Sequence, residues 1–171
     1  MRIFPTKSNS SRLLKGFTLI ELLIVMMTMF LIFTMGFANL RGFQRRKILD
    51  GAETRLRSHL RLTQEMALSG RKPSQPICTN RKLESVRLRR VNQFMYRIEG
   101  GCSNGISTNF QTMNPSYNYD LRTEYPGVAM TAFAPVTFST LGRGVETAVT
   151  ITLTSTSGTR LINITTGGQI N

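Results

Sequence analysis

The sequence predicts an α+β protein in which one long N-terminal helix, first membrane-spanning and then amphipathic, packs on antiparallel β-sheet. Three patterns carry this expectation. From Phe17 to Leu40 the side chains are almost all apolar, and Glu21 is the only charge. From Leu49 to Ala67 apolar residues recur at three- and four-residue steps, the period of one helix face. Beyond Gly70 the period falls to two, that of strands with one buried side.

Residues 1–16 come first. They are basic and polar, with Pro5 and Ser8-Asn9-Ser10-Ser11, and read as a cytoplasmic leader outside the fold. A secretory signal fits poorly, because no small-x-small cleavage site follows an apolar region of ordinary length. The stretch 17–40 is the second element. As a helix rising ~1.5 Å per residue it reaches ~36 Å, enough for the ~30 Å hydrocarbon layer of a bilayer. A carboxylate there costs about 2.5–3.5 kcal/mol at the helix centre and less near the ends. Glu21 therefore calls for a cationic partner, unless it simply reaches the headgroups.

Residues 41–70 continue the helix in amphipathic form, loosened near Gly36 and Gly42. Leu49, Ala52, Leu56, Leu60, Thr63 and Ala67 form its apolar stripe, and Arg55, Arg57, His59, Arg61 and Gln64 occupy the other faces. His59 reads as a solvated surface residue. Asp50 and Glu53 are placed to pair with Lys47, Arg46 and Arg57 along the helix surface. Gly70 stands just past the helix end, and Pro73 prevents its continuation.

The remainder, 71–171, is a β-rich globular domain. Val86 and Leu88 alternate with Arg87 and Arg89, and Phe94, Tyr96 and Ile98 alternate with Met95 and Arg97. With Val91-Asn92-Gln93 as the turn, this is a hairpin with one basic face. Gly100 to Tyr125 is rich in Gly, Ser, Asn and Tyr and reads as a long loop with at most one short strand. Strands follow over Val128–Phe133, Val136–Ser139, Ala148–Thr154 and Arg160–Thr165, separated by turns containing Gly142, Gly144, Gly158, Gly167 and Gly168. Helix followed by antiparallel strands is the α+β pattern.

Composition narrows the function. Among 171 residues, 22 Lys and Arg against 9 Asp and Glu give a net charge of +13. The charge is uneven: Arg41 to Arg97 contains 15 basic and 4 acidic residues, whereas Ile98 to Asn171 contains 3 and 4. Such a field favours solubility first, and polyanions such as nucleic acid or anionic lipid second. The candidate contacts for DNA are Arg87, Arg89, Arg90 and Arg97 on the hairpin, with Arg143 and Arg160 beyond it. With one His, no nucleophile motif and no phosphate-binding glycine loop after a strand, the sequence points to no enzyme and no cofactor. Two cysteines and His59 do not make a metal site.

Gly16 before Phe17, Glu21 as the fifth residue from Phe17, and the apolar run behind it resemble the class III signal of type IV pilins and pseudopilins. The resemblance implies that a prepilin peptidase cuts between Gly16 and Phe17 and N-methylates Phe17. It also implies that Glu21 is the glutamate through which subunits assemble, paired with the new ammonium of a neighbour. Phe138, Gly142-Arg143-Gly144, Ile151-Thr152-Leu153, Gly158, Ile162 to Ile164 and Gly168-Gln169-Ile170 look more specifically like the GspH/FimT group of minor pseudopilins. That group implies a pilin-like fold and a structural subunit of a type II secretion pseudopilus or type IV pilus. Its partners would be other pilins, the inner membrane and, as the alternative function, DNA during uptake. DNA-binding members carry a Gly-Arg-containing tail; here the tail reads Gly167-Gly168-Gln169-Ile170-Asn171, without Arg.

Positive charge on both sides of the apolar stretch leaves its orientation undecided; the resemblance implies a cytoplasmic N-terminus, a single crossing of the inner membrane and an extracytoplasmic domain able to join a surface filament. In that compartment Cys78 and Cys102 are expected to form a disulfide, the alternative being two free thiols.

Overall fold

The amphipathic stretch 41–68 turns one stripe inward, and the rest of the globular unit is built against it. Leu49, Ala52, Leu56, Leu60, Thr63 and Ala67 are all buried, as their spacing requires. The computed structural model describes residues 18–113, 117–142 and 144–171, apart from the side chains at 35, 37–39, 41 and 77. The chain divides into two compact units, 1–40 and 41–171.

Helix α1 runs from Leu19 to Leu68. In the first unit, Thr18 caps its start: the Glu21 N–H donates to Thr18 Oγ1 at 3.3 Å, satisfying one of the orphan donors of a helix N-terminus. In the second unit, Gly70 ends it at φ +64. The Gly70 N–H donates to the Ala67 carbonyl and the Arg71 N–H to the Met66 carbonyl. This is a Schellman closure, which needs the left-handed residue that Gly supplies. Among the described residues no helix is long and apolar enough to cross a membrane.

After the one-turn helix α2 (Pro76–Thr79), strands β1 (Lys82–Arg90) and β2 (Met95–Ser103) form the expected antiparallel hairpin. Asn92 Oδ1 closes its turn by accepting from the N–H groups of Phe94 and Met95, each at 2.8 Å. Val86, Leu88, Tyr96 and Ile98 point into the core, leaving the arginines on the opposite side. Strands β3 (Thr108–Thr112), β4 (Asn118–Asp120) and β6 (Val136–Ser139) complete a five-stranded antiparallel sheet in the order β3-β2-β1-β6, with β4 also on β2. A second antiparallel sheet is formed by β5 (Ala129–Met130), β7 (Val149–Ser155) and β8 (Gly158–Ile164), in the order β5-β7-β8. One apolar cluster joins the α1 stripe to the inner faces of both sheets.

The structure corrects the expected long loop at 100–125. Strand β2 continues through Gly100 and Gly101 to Ser103, β3 and β4 follow, and a single turn of helix, α3 (Leu121–Glu124), begins at Asp120. Gly100 and Gly101 are not turn residues. A Cβ on Gly100 would run into Pro73 and Met113, and one on Gly101 into Phe110 and Thr108. These glycines let neighbouring side chains cross the strand closely. Strand β5 is also shorter than expected, keeping only two residues of the 128–133 stretch. The C-terminal Gly167-Gly168 turn folds the last residues back onto β8, where Asn171 and Asn163 exchange backbone hydrogen bonds of 2.9 Å.

Candidate functional site

The first unit contains the assembly residue predicted from sequence. Glu21 lies in the first turn of α1 and is exposed, and the large apolar side chains from Leu19 to Phe33 are exposed with it, Phe30 at 71%. The two hydroxyls of this stretch are satisfied within the helix: Thr28 Oγ1 donates to the Val25 carbonyl at 2.9 Å and Thr34 Oγ1 to the Leu31 carbonyl at 2.8 Å. Over 19–34, Glu21 is thus the one described side chain that needs a polar partner from elsewhere. Gly16 and Phe17, the expected processing site, lie outside the described residues, as does the leader 1–16.

The hairpin arginines are brought together, but around a group that the sequence reading passed over. Glu99 stands opposite Arg87 in the β1–β2 register and is only 3% exposed. Arg87 Nε and Nη2 both reach Glu99 Oε2 at 2.7 Å. Arg97 Nε lies 2.6 Å from Oε1, and Arg89 Nη1 lies 3.8 Å from it. The Arg87 guanidinium also stacks on the Phe110 ring, 3.4 Å from its centre, a favourable cation–π arrangement. Three cations over one buried carboxylate leave an excess of positive charge, but Arg87 and Arg97 are committed to holding Glu99. Strand alternation contains the missed signal, because Glu99 is two residues from Arg97 and so shares its face.

The other predicted cations are dispersed. Arg90 donates to the Met130 carbonyl at 3.4 Å. Arg160 pairs with Asp50 at 2.8 Å and with Glu53 at 3.4 Å. Arg143 lies outside the described residues. Cys78 and Cys102 form a disulfide with Cα atoms 5.5 Å apart, and both are buried. It ties α2 to the end of β2, across a sequence separation of 24.

His59 is not a solvated residue. It is 5% exposed, joined to the Tyr96 hydroxyl by a 2.7 Å hydrogen bond through Nδ1, and stacked on Tyr119 with ring centres 3.7 Å apart. Burial, helped by the nearby Arg55 charge, lowers its pKa to about 4, because desolvation penalises the imidazolium. Burial likewise raises the Tyr96 and Tyr119 pKa values. Helical period alone put His59 on the polar side; β4, whose Tyr119 stacks on that side of the helix, was hidden in the supposed loop. A cavity of about 250 Å³ beside this cluster is lined by Arg55, Tyr119, Asp120 and Glu124 among others. Among the described residues no group of His, Cys, Asp and Glu side chains could hold a metal ion.

Compared with known proteins, the chain matches no family profile, no curated protein and no solved structure.

Proposed function

We propose that this chain is a minor pilin or pseudopilin, a structural subunit of a type II secretion pseudopilus or type IV pilus, and not an enzyme. One observation carries the reading: an exposed apolar helix segment whose single charge, Glu21, lies in its first turn. Such a surface needs an apolar environment. The sequence run from Phe17 to Leu40 has the length for the inner membrane before assembly, with the N-terminus cytoplasmic and the domain outside. In a filament the same surface would pack against other subunits. Cleavage by prepilin peptidase between Gly16 and Phe17 would create an ammonium at Phe17. In an apolar phase that ammonium and the Glu21 carboxylate of a neighbour attract strongly, while either charge alone is penalised. The pair would set the register between subunits.

DNA binding is less well supported, since Arg87 and Arg97 are engaged by Glu99 and Arg160 by Asp50.

N-terminal sequencing of membrane-extracted protein tests the reading and should begin at Phe17; an intact Met1 or a cut near Asn39 would sink it. Glu21→Val should still insert in the membrane yet lose crosslinking to a neighbouring subunit. Unchanged crosslinking would remove Glu21 as the registering charge.

A further inference from the structure

Four cations, Arg41, Arg45, Arg46 and Lys47, follow the apolar run in sequence, and no acid occurs among them. The nearest acids downstream are Asp50 and Glu53, which sequence spacing assigns to Lys47, Arg46 and Arg57. The structure directs them elsewhere. Asp50 Oδ1 accepts from Arg160 Nε at 3.0 Å and Nη2 at 2.8 Å. Glu53 accepts from Arg57 at 2.8 Å and lies 3.4 Å from Arg160. Arg160 comes from β8, far along the chain, and of the expected helix-surface pairs only Glu53 with Arg57 forms. Among the described residues, Arg45, Arg46 and Lys47 have no carboxylate within ion-pair distance. All three are exposed.

Their arrangement matters as much as their charge. Consecutive helix positions are ~100° apart, so Arg45, Arg46 and Lys47 fan over roughly 200° of the helix circumference. This is a collar and not a stripe. Phe43 is 58% exposed, and the Lys47 ammonium lies 5.3 Å from its ring centre. An exposed aromatic with flanking cations, next in sequence to an apolar run, is the composition of a bilayer headgroup zone.

We propose that Arg45, Arg46 and Lys47, with Phe43, form a docking collar for the phosphates of anionic phospholipids. The inference rests on the membrane reading above. Charge complementarity selects the ligand: a fan of unneutralised cations fits several lipid phosphates arranged around a helix better than it fits one rod-like duplex on one side. The hairpin arginines do not compete for this role, because Glu99 already draws Arg87 and Arg97 into the sheet surface. Leaving the bilayer for a filament would then require exchanging these phosphates for other partners.

The test reconstitutes the full chain in vesicles and measures its association with spin-labelled phosphatidylglycerol and spin-labelled phosphatidylcholine. The native chain should prefer phosphatidylglycerol, with the preference falling as salt rises. Each cation near the surface is worth ~1 kcal/mol, or about five-fold in affinity, so the triple variant R45Q/R46Q/K47Q should lose at least about ten-fold of the preference. Arg61→Gln, exposed on the same helix, should retain it. Resistance to alkaline extraction, measured on the same vesicles, reports insertion independently. Insertion with equal affinity for both lipids, or a preference unchanged in the triple variant, overturns the collar and leaves the membrane reading standing. No insertion at all overturns both. A triple variant that keeps its lipid preference but loses DNA binding overturns the lipid assignment in favour of nucleic acid.

Discussion

The two parts of α1 share a secondary structure and differ in what satisfies it. Over 49–67 each apolar position of the stripe is covered by the sheets of its own domain. Over 19–33 the large apolar side chains are exposed. The polar groups follow the same division: in the globular unit Glu99, His59, Asp50 and Glu53 find partners within the unit, whereas the exposed Glu21 carboxylate has no ion-pair partner among the described residues. Amphipathicity in the one part and uniform hydrophobicity in the other are two solutions for two surroundings. A domain core needs one apolar stripe, while lipid or a bundle of like helices accepts apolar surface all round.

Mutation can break or sharpen this contrast. The largest effect is expected at Glu99, where Glu99→Gln leaves Arg87, Arg89 and Arg97 clustered without their anion. Removing one partner of a buried pair costs about 3–5 kcal/mol, measurable by urea unfolding of the full chain in detergent. The same variant should bind DNA more tightly at low salt, because the freed arginines can turn outward; unchanged affinity would show that this face does not meet polyanions. Leu56→Ala comes next. Leu56 is fully buried, so unfolding stability should drop by about 2–5 kcal/mol. A loss below that range would mean that the stripe can repack around the gap.

The pH dependence of stability examines the aromatic cluster. The pKa of His59 is about 4 in the folded chain against 6.5 unfolded, so between these values the unfolded state binds more protons. Stability should therefore be intact above about pH 6.5 and decline as pH falls toward 4, by up to about 3 kcal/mol from this residue. Tyr96 and Tyr119 contact the imidazole, and burial raises the pKa of both, away from this window; Arg55, Asp120 and Glu124 line the cavity beside it. His59→Gln should flatten the slope there; an unchanged slope would assign it to the carboxylates. The smallest effect belongs to the other side of the comparison. Leu23→Ala, in the uncovered part of the helix, should change unfolding of the globular unit by less than about 0.5 kcal/mol. A larger change would show that residues 19–40 are held by their own domain after all, and would erase the contrast.

Much of this architecture is legible in the amino-acid sequence because it follows from short-range periodicity. The three- and four-residue spacing of Leu49, Ala52, Leu56, Leu60, Thr63 and Ala67 selects a helix and its buried face. The alternation of Val86, Leu88, Tyr96 and Ile98 with arginines selects a hairpin and its inner side, and Gly70 ends α1 because only a left-handed residue closes that helix without strain. The candidate assembly residue is equally local, a lone Glu21 in an apolar run. Tertiary structure decided the rest, wherever a side chain's partner lies far along the chain. Only strand register brings Glu99 beneath Arg87, and only β8 brings Arg160 to Asp50 and leaves Arg46 and Lys47 without an acid. Only Tyr96 from β2 and Tyr119 from β4 cover His59, and only the packing of Pro73, Met113 and Phe110 shows why Gly100 and Gly101 continue a strand. Spacing along one element determines which way a side chain points; what it meets there depends on elements that the local pattern does not contain.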